Sequence, residues 1–234
     1  MTSVTLSGNQ PFTNRERAPG MKLFLDGPVG KLEAIFETAG TSAGLKALVC
    51  HPHPVHGGTM HNRVVVRIAR ALLAVGVDVL RINFRGTGDS EGSYDAGVGE
   101  LQDALAAIHF LEQQRPGWPL IVGGFSFGSW VSFRAGLQVP QTCGLLAAGL
   151  PVRHYDFDFV SRSPLPKWVI QGEFDEFGNS RQVAAVVDTF ANPKGFSFVP
   201  EADHYFSDHI DVFSTRLTEA ATWLRTQVLP EVTR

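Results

Sequence analysis

Five residues, Gly124-Phe125-Ser126-Phe127-Gly128, constrain this chain more than any other stretch, because of what stands on either side of them. Leu120-Ile121-Val122-Gly123-Gly124 is a short apolar run of the kind that forms a strand buried on both faces. On the other side Trp130, Val131, Arg134 and Leu137 recur at roughly helical spacing until Pro140, which stops a helix. A serine at a sharp strand-to-helix turn is the setting that gives Gly-x-Ser-x-Gly its chemical meaning. The turn forces Ser126 into a strained backbone conformation and crowds the positions two before and two after it, so glycine is expected at both. Its hydroxyl would then stand proud of the strand end. Beside it the first N–H groups of the helix, Phe127 among them, are left without partners and point where a negative oxygen would sit.

The remaining chain has the means to bury such a strand. With 234 residues, 44% hydrophobic and 18% charged, it can build a sizeable core without a disulfide or metal staple. The formal net charge of -3 is spread along the sequence with no basic block, which argues against nucleic acid or an anionic membrane as partner. A small, not strongly charged molecule is the expected ligand. Cys50 and Cys143 are expected to be free thiols in a reducing compartment. Residues 1–20 are rich in polar residues and proline and lack the apolar segment of a signal peptide, so a flexible tail, a single domain over 21–234 and a cytoplasmic location are expected.

Along that domain, apolar strand-like runs alternate with helical patterns. Met21 to Leu25 and Leu32 to Thr38 read as a hairpin around Asp26-Gly27-Pro28-Val29-Gly30. Strands are then expected at Ala47 to Cys50, Val77 to Phe84, Leu120 to Gly124, Leu145 to Leu150, Trp168 to Gln171 and Phe196 to Val199, with helices between and after them. Such alternation specifies an α/β fold: a mostly parallel central sheet with helices on both faces, an antiparallel N-terminal hairpin and a minimal cap or none. Ligands bind beyond the carboxyl ends of such strands.

A nucleophile at Ser126 needs a base and an orienting acid from later strand ends at the same edge of the sheet. Phe196 to Val199 runs into Pro200-Glu201-Ala202-Asp203-His204-Tyr205, and Trp168 to Gln171 into Gly172-Glu173-Phe174-Asp175-Glu176. The order Ser126, Asp175, His204 suits a hydroxyl nucleophile, a carboxylate and an imidazole base. Glu173 and Glu176 compete for the role of acid, and His209, where the last helix begins, competes with His204. A second oxyanion donor is expected from the loop His51-Pro52-His53-Pro54-Val55-His56-Gly57-Gly58. Pro52 and Pro54 have no N–H, and His53 is the choice by its distance from the strand end, with Val55 and the two glycines open. Four histidines at 51, 53, 56 and 61 invite a metal, but no acid or cysteine is interleaved and the spacing is not i, i+4, so no metal is assigned. In Arg85 to Gly92 the glycines lack the spacing of a nucleotide loop. That segment reads as a tight structural loop, with Arg85 and Asp89 as local partners.

Taken together, the His-Pro-His-Pro-x-x-Gly-Gly loop, Asn83-Phe84-Arg85-Gly86, the Ser126 elbow, Gly172-x-x-Asp175 and Asp203-His204-Tyr205-Phe206 resemble the α/β-hydrolase superfamily over about Lys46 to Leu224, most strongly its short bacterial members related to dienelactone hydrolase. The resemblance implies a carboxylesterase-like serine hydrolase without metal or organic cofactor, in which Ser126, Asp175 and His204 form a triad. Dienelactone hydrolases proper use cysteine, so serine here shifts the expectation to ordinary esters. A thioesterase or acyltransferase would use the same triad, and a small-molecule binder on this fold is the non-enzymatic alternative. With only Pro151 to Lys167 available where caps are inserted, the acyl site is expected to be shallow, bordered by Phe125, Phe127, Tyr155, Phe157 and Tyr205. The sequence carries no signal of oligomeric state.

Overall fold

The central strands of this protein, Leu45–Cys50, Val77–Ile82 and Leu120–Phe125, are buried on both faces because helices cover both sides of the sheet. A computed structural model describes residues 20–229. The tail expected over 1–20 lies outside the described residues but for Gly20. β1 (Met21–Gly27) and β2 (Gly30–Glu37) pair antiparallel, with Gly27 opposite Gly30 and only Pro28 and Val29 in the turn. β3 (Leu45–Cys50), β4 (Val77–Ile82), β5 (Leu120–Phe125), β6 (Thr142–Ala148), β7 (Lys167–Gly172) and β8 (Lys194–Val199) follow. They assemble into one eight-stranded sheet in the order β1-β2-β4-β3-β5-β6-β7-β8, in which β3 to β8 are parallel and β2 is antiparallel to both neighbours.

Alternation along each strand divides the core in two. Leu45, Ala47 and Val49 face α1 (Arg63–Ala74) and α5 (Ile210–Val228), while Leu48 and Cys50 face the side covered by α2 (Val98–Gln114), α3 (Phe127–Gly136) and α4 (Ser180–Asp188). α1 shows how local chemistry sets the boundaries. The Asn62 side chain caps it by accepting from Val64 N–H at 2.9 Å, Val64, Val65, Ile68 and Leu72 form its buried face, and Gly76 at φ 89° turns the chain into β4.

Two expectations are corrected here. β4 ends at Ile82 rather than Phe84, because Asn83 is already a loop residue whose amide accepts from Met60 N–H and donates to Glu33. α3 buries Phe127, Val131 and Ala135, with Trp130, Arg134 and Leu137 half-buried beside them. Arg85 and Asp89 do not meet. Arg85 forks onto Asp103 of α2 at 2.7 Å, both side chains buried, and Asp89 pairs with Lys22 of β1 at 2.9 Å near the surface. The glycine-rich loop is thus tied to α2 through its arginine and to the hairpin through Asp89 and Glu33, whose carboxylate accepts from Asp89 N–H.

The connection from β6 to β7 holds only a single 3₁₀ turn, Asp158–Val160, and forms no lid over the carboxyl edge of the sheet. Among the described residues, no helix is long and apolar enough to cross a membrane.

Candidate active site

β5 drives straight into the turn at Ser126, whose φ of 56° and ψ of −125° place an L-residue where glycine is usually needed. The strain is held from several sides. Ser126 N–H donates to Ala148 O on β6 at 3.0 Å, and Ser129 returns both its N–H and its hydroxyl to Ser126 O at 2.9 and 2.6 Å. A Cβ at Gly124 would lie 2.5 Å from the carbonyl carbon of Gly128, the crowding expected from the pattern. A Cβ at Gly128 would meet the carbonyl oxygens of Cys50 and His51 at 2.4 Å, so the elbow is also packed against the end of β3.

Two strands further along the sheet, the turns after β7 and β8 bring Asp175 and His204 together. Their Oδ2 and Nδ1 are 2.7 Å apart, with both residues almost completely buried. A carboxylate only accepts, so Nδ1 carries the proton and Nε2 is left as the basic nitrogen. Asp175 is itself held: Gln171 Nε2 donates to its Oδ2 at 2.7 Å and Phe177 N–H to its Oδ1 at 2.8 Å. The neighbouring acids are engaged elsewhere, Glu173 accepting from Glu201 N–H at 2.9 Å and Glu176 facing solvent. The imidazole sits between the rings of Phe125 and Phe177, with centroids at 4.7 and 4.5 Å. His209 stands at the N-terminus of α5, as expected of the competing histidine.

Ser126 and His204 line one cleft of about 510 Å³ at the carboxyl edge of the sheet. Of the residues expected at its border, Phe127, Tyr155 and Tyr205 line it, and so does His53. Phe125 and Phe157 do not. Phe125 ends β5 with its ring on the α1–α5 side, fully buried, where it supports His204 from behind. Phe157, 2% exposed, precedes the 3₁₀ turn and packs into the core under α2 and α3. Their places in the wall are taken by Pro151, His154 and Phe177, which the sequence reading did not single out. Phe177 had a signal, since it lies two residues beyond Asp175 in the same strand-end turn. Gln171 had none, because its amide joins the Leu150 N–H (2.8 Å), after β6, to the Gly178 carbonyl (2.7 Å) and Asp175 in the turn after β7.

The loop after β3 can be examined one N–H at a time. Val55 N–H donates to His53 Nδ1, His56 N–H and Gly58 N–H to His53 O, and Gly57 N–H to Pro54 O. His53 N–H, by contrast, has no protein acceptor among the described residues, and neither has Phe127 N–H. The His53 ring is equally fixed. Since Nδ1 accepts, Nε2 carries the proton and donates to the Tyr94 hydroxyl at 3.0 Å, with the Tyr94 and Phe127 rings packed at 4.9 and 5.0 Å. Burial, together with nearby His56, lowers the pKa of His53 and favours this neutral form. His51 is a structural histidine. Its Nε2 accepts from Phe84 N–H at 3.0 Å and its Nδ1–H donates to Pro52 O, and burial pushes its pKa down to about 4. Among the described residues no group of three or more His, Cys, Asp or Glu is arranged to hold a metal ion.

Comparison with known proteins places this geometry in a family. The family model described as serine aminopeptidase, S33, matches residues 46–156. A Rickettsia prowazekii protein of uncharacterized function is 34% identical over 207 residues, spanning 85% of this chain and 87% of its own. The crystal structure of an α/β serine hydrolase without a lid from Xanthomonas campestris superposes with a TM-score of 0.82 at 34% identity, covering 92% of this chain and 97% of that one. An α/β serine hydrolase homologue from Coxiella burnetii gives 0.81 at 32% identity, over 88% and 99%. With its elbow, its open cleft and this likeness along almost the whole described chain, the protein belongs to the α/β-hydrolase superfamily, as a serine hydrolase built without a lid.

Proposed function

We propose that the protein is a carboxylesterase that cleaves short-chain carboxylic esters through an acyl-enzyme on Ser126. The observation that carries this reading is the buried Asp175–His204 pair opening onto the same cleft as the strained Ser126. His204 Nε2 takes the hydroxyl proton as Oγ attacks the ester carbonyl, and the carbonyl oxygen becomes an oxyanion received by the N–H groups of Phe127 and His53. Asp175 holds the ring in the required tautomer and steadies the imidazolium. As the tetrahedral species collapses, the C–O bond to the alcohol breaks and His204 returns the proton to the departing oxygen. Water, deprotonated by the same nitrogen, attacks the acyl-enzyme, and the acid leaves with Ser126 restored.

Chain-length preference follows from the cleft. Each methylene buried in it is worth about 0.8 kcal/mol, and each one beyond it stays in water and adds nothing. Without a lid to extend the walls, kcat/KM among esters of linear aliphatic acids should be highest for acetyl to roughly hexanoyl. A fluorophosphonate probe followed by peptide mapping tests the core of the proposal. The expected result is a single adduct on Ser126 with loss of hydrolysis of p-nitrophenyl acetate. Labelling at Ser90 instead, with activity retained in Ser126→Ala, would refute it.

A further inference from the structure

We infer that the acyl half of the cleft is shaped for a flat aromatic acid, making esters of arylcarboxylic acids the preferred substrates; this rests on the reading of Ser126 as nucleophile given above. Rings gather in two groups around Ser126. On the side of His204 stand Phe177, whose centroid is 4.5 Å from the imidazole, and Tyr205 at 5.3 Å. On the other side Phe127 packs against His53 at 5.0 Å and Tyr155 at 5.9 Å. The leaving oxygen has to depart beside the imidazole that protonates it. The acyl group therefore extends the other way, with its carbonyl oxygen at the N–H groups of His53 and Phe127 and its substituent against the Phe127–Tyr155 wall.

That wall is unusual in what it omits. No leucine, isoleucine, valine or methionine lines the cleft, and neither does any lysine, arginine, aspartate or glutamate among the described residues. A linear acyl chain is ordinarily met by branched aliphatic side chains that mould to it, whereas tilted rings offer electron-rich faces and electropositive edges to another planar ring. The wall is also held in place before any substrate arrives. Tyr155 stacks on Trp130 at 4.6 Å and 29°, the Arg134 guanidinium lies 4.4 Å from the centre of the Trp130 ring, and Gly97 abuts the indole so closely that a Cβ there would come within 2.3 Å of it. A rigid pair of rings loses little freedom on binding a flat partner.

The test compares p-nitrophenyl benzoate with p-nitrophenyl cyclohexanecarboxylate, which carry the same leaving group and acyl rings of equal carbon number. Each kcat/KM is divided by the ester's own rate constant with hydroxide, because conjugation slows the benzoate intrinsically. The normalised ratio should favour benzoate about threefold to tenfold, the range expected of one or two ring–ring contacts. Tyr155→Leu should bring it close to one, while Tyr155→Phe, which keeps the ring, should preserve it. A wild-type ratio of one or below, with the acetate still hydrolysed and Ser126 still labelled, overturns this inference alone. Loss of acetate hydrolysis together with absence of label at Ser126 overturns the parent reading. Should Tyr155→Leu fail to fold, the wild-type ratio and the phenylalanine variant decide.

Discussion

Asp175 illustrates what a single residue owes to its surroundings. Three acids stand within four positions of one another after β7, and their sequence does not rank them decisively. The structure separates them by burial and partners: Asp175 accepts from His204, Gln171 and Phe177, while Glu173 and Glu176 face away from the imidazole. If Asp175 holds the tautomer of His204, Asp175→Asn should lower kcat by about 10⁴ in a variant that still takes the phosphonate label slowly. Glu173→Gln and Glu176→Gln should stay within about twofold of wild type, as solvated charges do. A glutamate variant worse than Asp175→Asn would show that the acid lies elsewhere. His51 makes a prediction of a different kind. Its folded pKa of about 4 lies below the ordinary value of 6.5, so between those limits the unfolded chain binds more protons than the folded one. Stability is then fully present above pH 6.5 and falls on acidification, at up to about 1.4 kcal/mol per pH unit, until pH 4. In urea unfolding at pH 7, 6, 5 and 4, His51→Gln should lose stability less steeply than wild type. Parallel curves for the two proteins would remove His51 from the account of acid sensitivity.

At the scale of elements, periodicity made most of the fold legible. The two-faced strands and the amphipathic α1 were readable because each is covered in the way its pattern implies. The spacing in α3 marked a helix but not its inward face, for a physical reason. It packs on β3, β5, β6 and α2, so almost every side is covered and no polar stripe marks its outward face. The loop after β4 was legible as structural, but its anchoring was not, since Asp103 lies 18 positions from Arg85 and no local pattern joins them. The consequence can be measured. Asp103→Ala leaves a buried guanidinium without its carboxylate and should cost about 3–5 kcal/mol in chemical unfolding. Asp89→Ala removes an exposed partner of Lys22 and should cost no more than about 1 kcal/mol. Equal losses in the two variants would mean that the Arg85–Asp103 pair does not hold the loop.

For the molecule as a whole, the short connection from β6 to β7 replaces a cap with a fixed wall, since Pro151, His154 and Tyr155 all border the cleft. Among the described residues no segment has to open at a lipid surface. The rate against p-nitrophenyl butyrate should therefore rise smoothly and saturate as the ester concentration crosses its solubility limit, and a jump at that limit would reveal a movable lid. The order of the sheet has another consequence. From β6 onward each strand pairs with the one before it in sequence, and the elbow serine, the proposed acid and the proposed base are handed out along that series: Ser126 after β5, Asp175 after β7, His204 after β8. A chain whose last strand has not yet docked carries its serine with no imidazole to deprotonate it. Turnover would thus report completion of folding rather than its onset, and the unfinished protein would be chemically silent. In refolding from urea, recovered hydrolysis of p-nitrophenyl acetate should appear no earlier than the slowest step seen by tryptophan fluorescence, because Trp168 lies on β7 against Trp223 of α5, at the same end of the sheet as His204.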